Sequence, residues 1–421
     1  MAGLGADCFA HGGAPLTVEA AGALVVAGIP APAAREAVPL HAARGRVLAG
    51  PLLAPHPLPP FGNSAVDGFA FRHADLPARD AARLPLAGRL AAGTAPGMPL
   101  GPGQACRILT GAPLPPGADT VVMQEDARTE GGALHLPAGI ALVLRPGANC
   151  RPAGEDLAAG AEALPEGTRL GPAEIGLAAA LGRNSLAVRP RPRIGVFSTG
   201  NELVPPGGRL GPAQTFDSNR FTLLALLSGL PVEPVDLGLL PDHAAETEAA
   251  LRQAAAAHDL LLTSGGVSGG DEDHVRAAIA RCGTLQFWRL AVKPGRPAAM
   301  GVVDGTPVLG LPGNPVAAVV AFLHLARPLV LRLCGARPEK LPRFAARAAF
   351  AHRKKPGRRE YLRVTVEASA DGLPVAHAFP RQGSASLTSL TGSDAFAELP
   401  EDGTDVSPGA LVTVLPFAGL L

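Results

Sequence analysis

Between residues 194 and 333, short apolar strands and helices take turns along the chain. Residues 194–197, 232–239, 260–263, 287–292, 298–303 and 307–311 read as strands. Residues 220–227, 244–257, 274–282 and 316–333 read as helices, the first opening on a possible Asn219 cap. Strands alternating with helices of this length predict a parallel α/β sheet. In such an open sheet, ligands bind beyond the carboxyl ends of the strands. That rule directs attention to three loops, at residues 198–202, 263–273 and 311–315.

The flanks are built differently. Five prolines fall within residues 51–60, a stiff linker and a first boundary. Residues 61–145 alternate short β-type runs (68–72, 105–109, 120–124) with Gly/Pro turns, a small all-β pattern. Residues 146–190 are mixed, with a helix near 173–181, and return toward the N-terminal segment. There Thr17 opens one helix and residues 41–48 a second. Arg189-Pro190-Arg191-Pro192 is the next boundary. After Gly335, runs at 344–352, 361–366, 375–379 and 411–415 suggest a C-terminal β domain. The expected fold class is multidomain α/β plus β, a central parallel α/β domain flanked by small β domains.

The chain holds 52 glycines and 44 prolines in 421 residues, a level near that of unstructured chains. Its 47% hydrophobic content argues for ordered turns around a sizeable core instead. A formal net charge of +1 gives no global attraction to nucleic acid or an anionic membrane, and 4% aromatic content gives no wide base-stacking surface. Cys8, Cys106, Cys150, Cys282 and Cys334 are widely spaced and lack metal-ligand spacing, so free thiols in a reducing, cytoplasmic setting are expected. Residues 20–34 imitate a secretion signal, but Asp7 and Glu19 precede them, no Lys or Arg does, and Pro30 and Pro32 interrupt them. The apolar stretch 316–333 carries His324, Arg327, Arg332 and Pro328, which argues against a membrane span.

The second loop is the richest. Four glycines in residues 265–270 let backbone N–H groups face an anion, with Ser268 as a further donor. Asp271 and Asp273 add hard oxygens suited to a divalent ion, or simply complement a helix N-terminus. No dinucleotide G-x-G-x-x-G and no G-x-x-x-x-G-K-S/T occurs in that loop. Arg289, Lys293 and Arg296 form a local basic cluster around a Pro-Gly turn, suited to phosphate or another oxyanion, or else a solvated loop. Asp242 reads most simply as a helix cap, and Glu202 lies in a Thr-Gly-Asn-Glu turn. Asp67 is either a carboxylate displayed to a cleft or a turn former, and Thr110 ends a strand at a tight turn.

Taken together, the segments 58–70, 107–126, Gly154-Glu155-Asp156, 198–203, 264–273, 293–297 and 311–315 resemble the molybdopterin molybdenumtransferase (MoeA) family, related to the E domain of gephyrin. The resemblance implies four domains: 1–54 with 146–189, 55–145, 190–336 and 337–421. It implies a MogA-like α/β domain and an elongated homodimer, with a cleft between the β domain of one subunit and the α/β domain of the other. The implied reaction inserts molybdate into adenylylated molybdopterin with Mg²⁺ and releases AMP. Asp67, Thr110, Glu202, Asp242 and Asp273 fall at its catalytic positions, and Asp67, Asp242 and Asp273 would hold the metal. Asp217, Asn219, Gly265, Gly266, Ser268, Lys293, Arg296, Pro312, Gly313, Asn314 and Pro315 would bind substrate. Arg359 and Ser384 lie in segments that resemble molybdate-contacting regions. Partners implied are the pterin substrate, a second copy, and the adenylyltransferase of the same pathway. Gly62, Gly269, Arg296 and Ala317 depart from the family pattern. A MgATP-dependent adenylyltransferase shares only the α/β part, and a scaffold of gephyrin type would not need the carboxylates.

Overall fold

The computed structural model describes residues 15–97, 99–240, 244–265 and 274–421. They form two compact units. One runs to Ala49, takes in Gly167–Gly171 and resumes over Leu186–Leu421. The other comprises Gly50–Glu166 and Pro172–Ser185.

The second unit is built on a six-stranded sheet, in the order Thr120–Met123, Gly68–Phe71, Ala105–Ile108, Ala82–Leu90, Ala133–Leu136, Arg128–Glu130. Phe69, Phe71, Leu84, Val122 and Leu134 fill one core of it. At Gly68 the neighbouring strand passes so close that a Cβ would lie 1.9 Å from the Val122 carbonyl oxygen. Only glycine fits there, which seats the preceding residue, Asp67, at the strand's mouth.

In the first unit a six-stranded sheet runs in the order Glu233–Leu239, Arg193–Ser198, Leu260–Ser264, Thr306–Leu311, Pro297–Val303, Gly283–Arg289. The first four strands are parallel. The last two are antiparallel to their neighbours, unlike the wholly parallel sheet expected. The reason is the connection. Asp304 and Gly305 both have positive φ, 47° and 94°, and form a two-residue hairpin turn that no crossover can use. Ser198, Ser264 and Leu311 stand in register, so the loops after them open at one end of the sheet.

The helical run Pro315–Leu333 has the length and apolarity of a membrane span, yet it is mostly buried within this unit. Leu325, Leu329 and Val330 belong to the main core, with Val18, Ala21 and Val25 of the helix Val18–Ala27. Thr17 caps that helix, its Oγ1 accepting from the Ala20 N–H at 3.1 Å. The run widens to a π-helical segment at Phe322–Ala326. Pro328 has no N–H for the His324 carbonyl four residues back, and the widened turn accommodates its ring. That carbonyl faces Gly22, where a Cβ would lie 2.9 Å from the oxygen. The second expected helix, 41–48, is not formed. Leu40–Ala42 make one 3-10 turn, Gly45 takes φ 74°, and Val47 and Leu48 bridge to Arg169 and Val188.

The C-terminal sheet closes on itself. Arg359–Glu367, Val375–Ala378, Phe344–Ala348, Leu411–Pro416 and Ala395–Leu399 pair in turn, and the last pairs again with the first. The two-residue strand Val292–Lys293 pairs in parallel with the first residues of Arg359–Glu367, Lys293 opposite Glu360. This little strand joins the α/β sheet to the barrel.

His324 sits where helix and barrel meet, 5.1 Å ring to ring from Tyr361, with Nε2 buried and unpartnered among the described residues. Burial, aided by Arg343 and Arg359, pushes its pKa down to about 4. The unfolded chain takes up this proton near pH 6.5 and the folded one does not. Stability is therefore complete above pH 6.5 and falls as the pH drops toward 4, by about 3 kcal/mol from this group. His324→Leu is expected to flatten that part of the profile. Thermal unfolding at pH 7.5 and pH 5 checks it: an acid loss equal to that of the parent chain would refute the assignment.

Candidate functional site

The carboxyl-end loops are tied into one geometry by Asn219. Its Nδ2 donates to Ser264 Oγ at 2.8 Å and to the Gly313 carbonyl at 2.6 Å. Ser264 Oγ in turn donates to the Pro312 carbonyl at 3.1 Å. These acceptors fix the amide's orientation. Asn219 is thus the first residue of its helix rather than a side-chain cap. Asp217, 1% exposed, accepts from Ser198 Oγ at 3.0 Å and from Arg220 Nε at 2.7 Å. Arg220 also pairs with Asp236. This buried group anchors the start of the helix against the strand end at Ser198. Asp217, Asn219, Glu202, Gly265, Gly313 and Pro315 border a cavity of about 300 Å³. Gly200 has φ 141°, and the Glu202 carboxylate folds back over it, 2.5 Å from where a Cβ would be.

A larger cavity of about 740 Å³ shares Glu202, Gly265 and Gly313 with the first. It lies between the sheet's loops and the barrel. Lys293 and Arg296 enter from the turn after Val292, Pro312, Asn314 and Ala317 from the helix start, and Ser384 from a barrel loop. That loop is held to the helix by the Val316 N–H donating to the Ser384 carbonyl at 3.0 Å.

The barrel also contributes Arg363, 1% exposed. Its guanidinium donates to Ser389 Oγ at 2.9 Å and to the Tyr361 and Gly383 carbonyls at 3.3 and 3.1 Å. No carboxylate pairs with it among the described residues. Burial lowers its pKa to about 10, so it remains a cation at neutral pH. A buried cation without a counter-charge is costly unless an anion is bound beside it. Glu360 and His352 complete this wall. Arg363, Glu360 and His352 escaped the sequence reading, because charged residues in a strand run give no sign of burial.

Arg359 is not brought to the cavity. It pairs with Glu398 at 2.7 Å, Glu401 at 3.1 Å and Glu19, and these partners hold its pKa above the ordinary arginine value. Asp242, Gly266, Ser268 and Asp273 lie outside the described residues, as does Gly269.

In the other unit, Asp67 Oδ1 accepts from both the N–H and the Oγ1 of Thr110, at 2.7 and 2.8 Å. These bonds, with Arg107 nearby, hold the carboxyl below the usual range. Arg107 is anchored on the Gly68 carbonyl at 2.9 Å and on Gln124 at 2.5 Å. The result is a solvent-facing carboxylate of fixed position and permanent charge at neutral pH.

Residues 16–182 match the MoeA N-terminal region (domain I and II), 195–332 the probable molybdopterin binding domain, and 345–417 the MoeA C-terminal region (domain IV). A molybdopterin molybdenumtransferase of Haemophilus influenzae is 37% identical over 412 residues, spanning 96% of this chain and all of the relative. Molybdopterin molybdenumtransferase 2 of Mycobacterium tuberculosis is 37% identical over 386 residues, 90% of this chain and 94% of its own. The crystal structure of the molybdopterin biosynthesis moeA protein from Pyrococcus horikoshii OT3 superposes with a TM-score of 0.80 at 28% identity, over 96% of this chain and all of that one. With matches to N-terminal, central and C-terminal regions in one order, the chain belongs to the MoeA family of molybdopterin molybdenumtransferases, enzymes of molybdenum cofactor biosynthesis.

Proposed function

We propose that this chain inserts molybdate into adenylylated molybdopterin, with Mg²⁺, and releases AMP. The observation that carries the reading is Arg363, a buried cation with no carboxylate partner among the described residues, on the wall of a cavity that also holds Lys293 and Arg296. Three cations of two geometries suit a tetrahedral oxyanion: the guanidinium groups offer forked donors and the ammonium a point charge. In this reading Lys293, Arg296, Arg363 and Ser384 hold molybdate. Gly265, Gly266 and Ser268 hold phosphate or pterin, and residues 312–315 shape the wall. The smaller cavity beside Asp217 and Asn219 takes the nucleotide side, with both residues acting mainly by fixing the loops.

Among the described residues no three His, Cys, Asp or Glu side chains converge on a metal cage. Mg²⁺ does not require one, since it keeps water and substrate phosphate oxygens and takes one or two carboxylates. Asp67, which has Oδ2 left over beside the bonds from Thr110, fits that donor chemistry. One or two of Asp67, Asp242 and Asp273 would hold the ion, with the remainder and Glu202 positioning water or substrate. Bound Mg²⁺ supplies charge neutralisation at the phosphoanhydride. Thr110 keeps the Asp67 carboxylate ionised and aimed. The enzyme works in the cytoplasm as a homodimer, Asp67 of one subunit serving the α/β domain of the other, and it receives its pterin from the adenylyltransferase of the pathway.

The test is AMP release from adenylylated molybdopterin with Mg²⁺, with and without molybdate. Molybdate-stimulated release, with a product that reconstitutes an apo-molybdoenzyme, is expected. No release under either condition, from folded protein that binds the ligand, would replace this reading with a binding or scaffold role.

A further inference from the structure

We propose that Glu360 is the counter-ion that sets the anion selectivity of the larger cavity, an inference that rests on the oxyanion reading above. Its side chain is 1% exposed, and its Oε2 accepts from Lys293 Nζ at 3.2 Å and from His352 Nε2 at 2.9 Å. The carboxylate accepts only, so Nε2 of His352 carries the proton toward it in either charge state of the ring.

The two ends of the Lys293–Glu360 pair differ in freedom. The Lys293 side chain is 51% exposed and can turn to a ligand, whereas the carboxylate is locked into the barrel wall. An anion entering the cavity must therefore take Lys293 from a resident carboxylate. Releasing a buried carboxylate from its cation is costly, and His352 offsets only part of that cost. A tetrahedral dianion recovers it, because its several oxygens engage Lys293, Arg296 and Arg363 together. A small monoanion such as chloride makes fewer contacts with less charge and does not. Arg363 has no such counter-ion among the described residues and attracts any anion, so discrimination is assigned to the Glu360–Lys293 pair. Glu360 acts through Lys293 and is a positioning residue.

The experiment is calorimetric titration of the full chain with sodium molybdate, in low chloride and again with added chloride. Glu360→Gln keeps the shape and removes the charge. It is expected to bind molybdate about tenfold tighter and to become visibly sensitive to chloride. Glu360→Asp keeps the charge and is expected to stay within about threefold of the parent. Equal shifts in the same direction for both variants would mean a packing role and overturn the proposal, as would no change in Glu360→Gln. If Glu360→Gln does not fold, Lys293→Gln and Arg296→Gln decide. Loss of Lys293 exposes the carboxylate to the anion, so it must weaken molybdate binding more than loss of Arg296, and the opposite order overturns the proposal. A parent chain that binds neither molybdate, tungstate nor sulfate would overturn the oxyanion reading itself, and this inference with it.

Discussion

Asp67→Asn is expected to lower molybdate-stimulated AMP release by at least about 100-fold while leaving the fold intact. An amide of the same shape keeps an oxygen for the two bonds from Thr110, so the local structure is retained. In the parent chain Asp67 Oδ1 is occupied by those two bonds, so any ligand must be met by Oδ2. In the variant that second atom becomes an N–H₂ group, a donor where an acceptor is needed, and the negative charge is gone. Thr110→Val removes only the hydroxyl bond and keeps the backbone one. It should cost less, about tenfold, and move the acid limb of the pH–rate profile upward, because the Asp67 carboxyl loses part of what holds its pKa down. Steady-state AMP release between pH 5 and pH 8 tests both. A near-parental rate in Asp67→Asn would remove this carboxylate from the machinery.

Arg363→Met should be nearly as damaging by a different route. The guanidinium is the cavity's one deeply buried cation among the described residues, and its donors already organise Ser389 and the Tyr361 and Gly383 carbonyls around it. Methionine fills similar volume, lifts the cost of a buried charge, and leaves those acceptors short of donors. The two stability effects oppose each other, whereas the loss of anion attraction has nothing to oppose it. Molybdate affinity is therefore expected to fall by about 100-fold with a much smaller change in thermal midpoint. Arg363→Lys restores charge without the fork and should recover about tenfold. Parental affinity in Arg363→Met would place the oxyanion elsewhere.

Much of the α/β sheet can be read from the chain, because buried strands and helices leave long apolar runs of distinct period. The helices Ala244–Ala257 and His274–Cys282 stand where the pattern puts them. The antiparallel edge is missed although Asp304-Gly305, a strong hairpin signal, lies in plain view. The strand Ala395–Leu399 is missed for a better reason. It closes the barrel with all five residues buried, yet alanine and glutamate do not advertise a strand. At the site, the loops with special backbone needs were legible: Gly200 and Gly265 take φ values of 141° and 91°. The barrel's wall was not. Arg359 and Arg363 are four residues apart on one strand, and no local rule says which one is neutralised by glutamates and which one lines the cavity. Only the tertiary partners Glu19, Glu398 and Glu401 decide that.

The strand Val292–Lys293 has a consequence for how such a chain can be cut and recombined. Lys293 belongs by connectivity to the α/β sheet and by hydrogen bonding to the barrel. A chimera that transplants the C-terminal domain of a relative at Gly335 would leave this lysine behind while replacing the edge that aims it. The natural border between interchangeable parts therefore does not follow the chain's apparent domain boundary. It encloses two residues from across it, and a relative's barrel should function here only when its own 292–293 equivalent travels with it.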